Sequence, residues 1–172
     1  ASPLSGNPPV LRLLDDLLYF DRYWLEEQQV CGDVAARLAA HPPPDAAAPD
    51  LTRLFPEGYA EQRAAAEVAV AQRLTVLTGG PGTGKTTTVA RLLAALAEQA
   101  HLAGGTGLRM ALAAPTGKAA ARLQEAVALE VSRLSPVDRR RLAGVRSTTL
   151  HRLLGSRPDT SSRFRHHRPN RL

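Results

Sequence analysis

The chain has 172 residues, 44% of them hydrophobic, which is enough to bury a core and excludes wholesale disorder. Its net charge of +6 is uneven: residues 1–58 carry 4 Arg against 9 Asp/Glu (−5), and residues 59–172 carry 18 Lys/Arg against 7 Asp/Glu (+11). The two segments therefore suit different partners, and only the second suits a polyanion. No run of 18 or more apolar residues exists, ASPLSGNPPV lacks the order of a secretory signal, and one cysteine, Cys31, rules out an internal disulfide framework. These features fit a reducing, cytoplasmic compartment with no membrane, and Cys31 reads as a small packed or half-buried residue.

Residues 10–20, VLRLLDDLLYF, are ambiguous between an amphipathic helix and two short strands joined at Leu14-Asp15-Asp16. WLEEQQVCGDVAARLAA reads as a helix, and HPPPDAAAPD (41–50) as a linker, because consecutive prolines cannot continue a helix. LTRLFPEG closes a first module at residue 58, which reads as a small α+β unit.

The second module, 59–172, opens with the Ala-rich helical run AEQRAAAEVAVAQ. LTVLTG (74–79) is β-branched and ends in glycine, so it predicts a buried strand. TTTVARLLAALAEQA predicts an amphipathic helix with Val89, Leu92, Leu93 and Leu96 on one face. LRMALAA (108–114) predicts a second strand, and PTGKAAARLQEAVALEV a turn and a second helix. SPVDRRRLAG reads as a polar connector and STTLHRLLG as a short helix capped by Gly155. SRPDTSSRFRHHRPNRL has no periodicity and reads as a loop. Helix, strand, loop, helix, strand, loop, helix is the order of a parallel α/β sheet.

GGPGTGKT matches G-x-x-x-x-G-K-[ST] at Gly79, Gly84, Lys85 and Thr86. In this P-loop the glycines let successive N–H groups turn inward as an anion nest, and the following helix points its positive dipole end at the phosphates. Lys85 is placed to reach the β and γ phosphates of ATP, and the Thr86 hydroxyl to ligate Mg²⁺. Hydrolysis also needs an acid at the end of a later apolar strand. None occurs after residue 114, and Asp138 and Asp159, in Arg-rich surroundings, read as solvated charges.

Several ordered motifs together resemble one family. Leu77-Thr78-Gly79-Gly80-Pro81-Gly82-Thr83-Gly84-Lys85-Thr86-Thr87-Thr88 is similar to motif I of RecD-type superfamily 1 helicases. Ala114-Pro115-Thr116-Gly117-Lys118-Ala119-Ala120 is similar to their motif Ia, and Thr149–Gly155 to their T-x-H-R-L-L-G segment. Gln62 stands where the family's adenine-reading glutamine lies, and LYFDRYWLEE and LFP resemble the region upstream of the motor in alpha subunits of exodeoxyribonuclease V. The resemblance implies an incomplete RecA-like P-loop NTPase sheet and two strands before a helix at the front. It further implies a 5′→3′ motor on single-stranded DNA, acting in recombination and repair with beta and gamma subunits. Gly79, Gly80, Pro81, Gly82, Thr83, Gly84, Lys85, Thr86 and Thr87 would hold the nucleotide. Pro115, Thr116, Lys118, His151 and Arg152 would meet DNA. The family's Asp-Glu motif II and arginine finger are expected beyond Leu172, and the lack of an initiator Met leads to the expectation of a piece of a longer chain.

Other readings stay open. APTGKAA is also an ordinary strand-to-helix turn, and His151 serves equally as a DNA contact or a structural hydrogen-bond partner. Residues 131–172 hold 11 Arg against Asp138 and Asp159, which suits a nucleic-acid backbone or a solvated loop. His166 and His167 are adjacent and lack the spacing of a helical metal pair. Tyr19, Tyr23 and Trp24 read as packing or subunit-contact residues. The alternative function is a nucleotide-binding regulatory or assembly module. A kinase is disfavoured, because neither APTGKAA nor TLHRLLG supplies an acceptor site or lid.

Overall fold

The computed structural model describes residues 8–40, 48–105, 107–156, 164–167 and 170. The chain divides into two units, Ala1–Pro42 with Ala71–Thr75, and Pro43–Val70 with Val76–Leu172. Residues 41–47 of the predicted linker, and Asp159, lie outside the described residues.

In the first unit, β1 (Leu11–Leu14) and β2 (Leu17–Phe20) pair antiparallel, from Leu11↔Phe20 to Leu14↔Leu17. The two-residue loop turns at Asp15, whose φ of 48° is a left-handed angle that a short polar side chain tolerates. Residues 11–20 are thus a hairpin, as the family resemblance implied. The helix α1 (Asp21–Ala39) follows directly. Arg12 ties hairpin to helix: its Nε donates to Asp21 Oδ1 at 2.7 Å, and its guanidinium lies 3.8 Å from the centroid of the Trp24 ring. Phe20 meets Tyr23 edge-on. These contacts all fall in the first turn of α1, which explains why Cys31 is exposed rather than packed.

The second unit is built around one long helix. α2 (Leu51–Leu54) and α3 (Ala60–Val70) lead to α4 (Lys85–Leu102), which packs against α2 and α3. After it come β3 (Leu112–Ala114), α5 (Gly117–Ser132), α6 (Pro136–Arg141), β4 (Ser147–Thr149) and α7 (Leu150–Leu154). α5 and α6 also pack on α4. Because α4 is enclosed on several sides, its fully buried positions are Thr88, Ala90, Ala94, Ala95 and Ala97, whose small side chains permit close approach. The predicted face of Val89, Leu92, Leu93 and Leu96 is half-buried. Leu54 and Phe55 complete the core with Ala66, Leu142 and Val145. Their burial packs α2 onto α3 and α4 within the second unit.

The sheet of this unit is smaller than the sequence predicts. β3 and β4 pair in parallel, with Leu112↔Ser147, Ala113↔Thr148 and Ala114↔Thr149 in register, and α5 and α6 form the crossover. The predicted strand 74–79 has no ladder, and Val76 is 79% exposed. A parallel strand draws its stability from ladder bonds and from cover on both faces. Apolar composition without either does not produce one. For the same reason the strand predicted over 108–114 shortens to the three residues that face β4. The connector read at 135–144 is instead α6 followed by the buried Leu142, with Ser135 capping Asp138 N and Pro136 at the helix start. The unit is a mixed α/β structure with a small parallel sheet, consistent with an incomplete RecA-like P-loop fold.

Candidate functional site

The P-loop ends on a glycine because its geometry excludes other residues. Gly84 is the N-cap of α4 at φ 79°, ψ 16°, a left-handed conformation, and a Cβ added there would meet Gln62 Nε2 at 3.3 Å. A glycine cap has no side chain to bond the first-turn N–H groups of α4, so that end remains open to an anion. At the other end of the loop, a Cβ on Gly79 would come within 2.7 Å of Thr83 Oγ1.

Side chains converge on this loop. Lys85 Nζ donates to the carbonyls of Gly79 and Gly80 and lies 3.3 Å from Thr83 Oγ1. Thr83 Oγ1 donates to Gly80 O at 3.0 Å, and Gln62 Nε2 to Thr83 O at 3.3 Å. Thr86 and Thr87 are half-buried in the first turn of α4, and Pro81 and Gly82 form the exposed tip. A cleft of about 220 Å³ opens here, lined by Glu61, Gln62, Thr78, Gly79, Thr83 and Lys85 among others. The residues fit a triphosphate with its divalent cation: an uncapped helix start, an ammonium group, an adjacent hydroxyl and a polar cleft. Thr88, the last residue of the motif I run, donates from Oγ1 to Gly84 O at 3.0 Å and ties the first turn of α4 to its cap. One contributor lies outside the motifs: Glu61 lines the cleft beside Gln62. Glu61 has no motif of its own; its only signal is its place next to Gln62 on α3.

The second set of predicted residues lies elsewhere in the unit. Parallel pairing of Ala114 with Thr149 makes both strands end at the same edge, where Pro115, Thr116 and Lys118 leave β3 and His151 and Arg152 leave β4. All five are exposed. The C-terminal edge of parallel strands is where α/β proteins commonly bind ligands. Thr116 also caps α5, its Oγ1 accepting from Ala119 N at 3.2 Å. Ala119 N–H is therefore taken, and the Thr116 O–H hydrogen is what remains to donate. The His151 ring meets Phe164 edge-on at 5.7 Å. The described part of the tail folds back on α7, with Arg165 N donating to Gly155 O and His166 N to Leu154 O. The residues lining the P-loop cleft do not include these five.

Asp138 is not a solvated charge. It is 1% exposed, and its carboxylate accepts from Arg53 Nη1 at 2.5 Å, Ser135 Oγ at 2.7 Å and Arg141 Nη1 at 3.4 Å. Burial pushes its carboxyl up, but the bonds from Arg53 and Ser135 and the charges of Arg53 and Arg141 outweigh that. The net position is below the usual carboxylate range. Arg53 also bonds Glu98 of α4 at 3.1 Å, and the Asp138 carboxyl group holds its guanidinium well above its ordinary pKa, against burial. With its oxygens engaged by Arg53, Ser135 and Arg141, Asp138 anchors α2 and α6 to α4 and does not stand in for the acid of an NTPase site. Among the described residues, no helix is long and apolar enough to cross a membrane.

A family model described as an AAA domain matches residues 62–172, from Gln62 through both motif regions. The chain is 73% identical over 172 residues, all of its length, to the RecBCD enzyme subunit RecD of Mycolicibacterium smegmatis, of which it covers 31%. It is 63% identical over 173 residues to the subunit of that name from Mycobacterium tuberculosis, of which it covers 29%. With the ATP-dependent RecD2 DNA helicase of Deinococcus radiodurans it shares 36% identity over 146 residues, 83% of this chain and 17% of that protein. It thus spans less than a third of the length of these relatives. The chain belongs to the AAA domain family, and along its whole length it is similar to RecD subunits of RecBCD enzymes.

Proposed function

We propose that this chain forms the phosphate-gripping part of an ATP-dependent DNA helicase subunit of the exodeoxyribonuclease V (RecBCD) type, acting 5′→3′ on single-stranded DNA in recombination and repair. The observation that carries this reading is the uncapped start of α4 at Gly84, with Lys85 and Gln62 converging on the same loop. In this role Lys85 exchanges its bonds to the Gly79 and Gly80 carbonyls for β and γ phosphate oxygens, and the N–H groups of the loop and first turn hold the remaining negative charge. Thr86 ligates Mg²⁺, which supplies charge neutralisation at the transferring phosphate. Gln62 reads the adenine edge while touching the loop through Thr83 O.

Pro115, Thr116, Lys118, His151 and Arg152 hold the DNA backbone at the shared end of β3 and β4. Support for this comes from their exposure on one edge and from the basic charge of the second module. Beta and gamma subunits are the protein partners. Their recognition draws support from the names of the relatives and from the exposed Leu13, Leu17, Leu18 and Phe20 of the hairpin. Among the described residues no carboxylate ends β3 or β4, and on that ground we expect these 172 residues alone to bind ATP without turning it over. In the full chain, Lys85→Ala lowers ATP turnover by about 100-fold or more, the scale of losing a preorganised charge at a transferring group. Turnover equal to wild type would overturn the assignment.

A further inference from the structure

We propose that Gln124 of α5 is a positioning residue for the DNA-facing edge, a role that rests on the DNA reading of that edge. Leu112 N donates to Arg146 O at 3.2 Å, and Leu112 is in register with Ser147. In a parallel ladder Leu112 then faces residues 146 and 148, and the N–H of Ser147 points away from β3 to the outer side of β4. That donor does not lack a partner: Gln124 Oε1 accepts it at 2.6 Å. The bond is half-buried and spans 23 positions of sequence.

β4 has three residues, so its ladder with β3 offers little to resist a slip. One residue of slip moves a strand by about 3.3 Å and reverses its faces. Such a shift would separate His151 and Arg152 from Thr116 and Lys118. α5 starts beside Thr116, carries Lys118 in its first turn, and grips β4 through Gln124 two turns later. A single rigid helix therefore presents one half of the edge and holds the strand that delivers the other half.

Two substitutions and two readouts in the full chain test this. Gln124→Leu keeps the bulk and removes the acceptor, while Gln124→Glu keeps a carboxylate oxygen in its place. Gln124→Leu is expected to weaken binding of a fluorescent single-stranded oligonucleotide about tenfold, leave nucleotide affinity unchanged, and speed hydrogen exchange at the Ser147 amide. Gln124→Glu is expected to restore DNA affinity and amide protection. Unchanged DNA affinity in Gln124→Leu, or equal losses of DNA and nucleotide affinity, overturns the positioning role. Faster Ser147 exchange in a protein whose wild type binds no single-stranded DNA removes the DNA reading of the edge, and this role with it.

Discussion

α4 and α5 start on the same tripeptide, Thr83-Gly84-Lys85 and Thr116-Gly117-Lys118, and end up with opposite chemistry at their N-termini. In α5 the threonine is the N-cap, its oxygen bonds forward to Ala119 N, and the glycine is already the first helical residue. In α4 the helix starts one residue later. The glycine is a left-handed cap, and the threonine hydroxyl bonds backward to Gly80 O. The residues before the tripeptide make the difference. An extended strand ending at Ala114 feeds Thr116 into a capping conformation, whereas the turn through Gly79–Gly82 brings the chain into Gly84 from the other side. A closed, side-chain-capped start suits a stable edge, and an open start suits an anion.

The largest expected effect separates the anchoring of α4 from its open end. Asp138→Asn removes the buried negative charge that Arg53 and Arg141 share, leaving Arg53 only its pair with Glu98, and lowers stability by about 2–3 kcal/mol, the scale of losing hydrogen bonds to a charged group, as measured by denaturant unfolding. Nucleotide affinity of the folded protein should not change; a loss would tie the ion-pair network to the P-loop and break the separation. Because the folded-state pKa of Asp138 is lowered, its contribution is fully present above the unfolded value and fades as pH falls through the folded one. Wild type should therefore lose, below about pH 4, a stability advantage over Asp138→Asn that it holds at neutral pH.

The two glycines test the comparison directly. Gly84→Ala forces a side chain into the left-handed region and toward Gln62, which costs about 1–2 kcal/mol and weakens ATP binding. Gly117→Ala meets nothing within 4 Å in an ordinary helical position and should raise the stability of α5 by about 0.5–1 kcal/mol. Equal responses of the two variants in thermal unfolding would show that the starts are alike after all. Thr116→Ala removes a cap and should cost about 1 kcal/mol, with Thr116→Ser retaining most of it. The smallest effect is at Lys118. If it meets one DNA phosphate, Lys118→Ala should reduce the slope of log affinity against log salt by about 0.7, and an unchanged slope would remove it from the interface.

Much of this was legible without coordinates. The P-loop, the helices α3, α4 and α5, and the Gly155 cap follow from glycine positions and from periodicity within a few residues. The segments 74–79 and 108–114 were legible only as apolar runs. Whether such a run becomes a strand depends on a neighbour to pair with, which Leu112–Ala114 has in β4 and Val76 lacks. Asp138 looked solvated because three arginines follow it in sequence. Its burial comes from Arg53, 85 positions away. Cys31 looked packed from its residue type, but the four-residue strands of the hairpin meet only the first turn of α1.

The sequence by itself marked where an anion nest can form, because such a nest is made by a handful of consecutive backbone groups whose angles glycine permits. It also marked the residues proposed to face DNA, but not that they leave the sheet at one edge. That was decided by the three-residue parallel register of β3 and β4, held by Leu112 N to Arg146 O on one side and by Gln124 on the other. Tertiary structure likewise decided that one Thr-Gly-Lys closes its helix and the other leaves it open. The physical reason is common to both: a backbone N–H takes whichever acceptor the approaching chain brings within reach, and the path of that chain is set by packing far from the tripeptide itself.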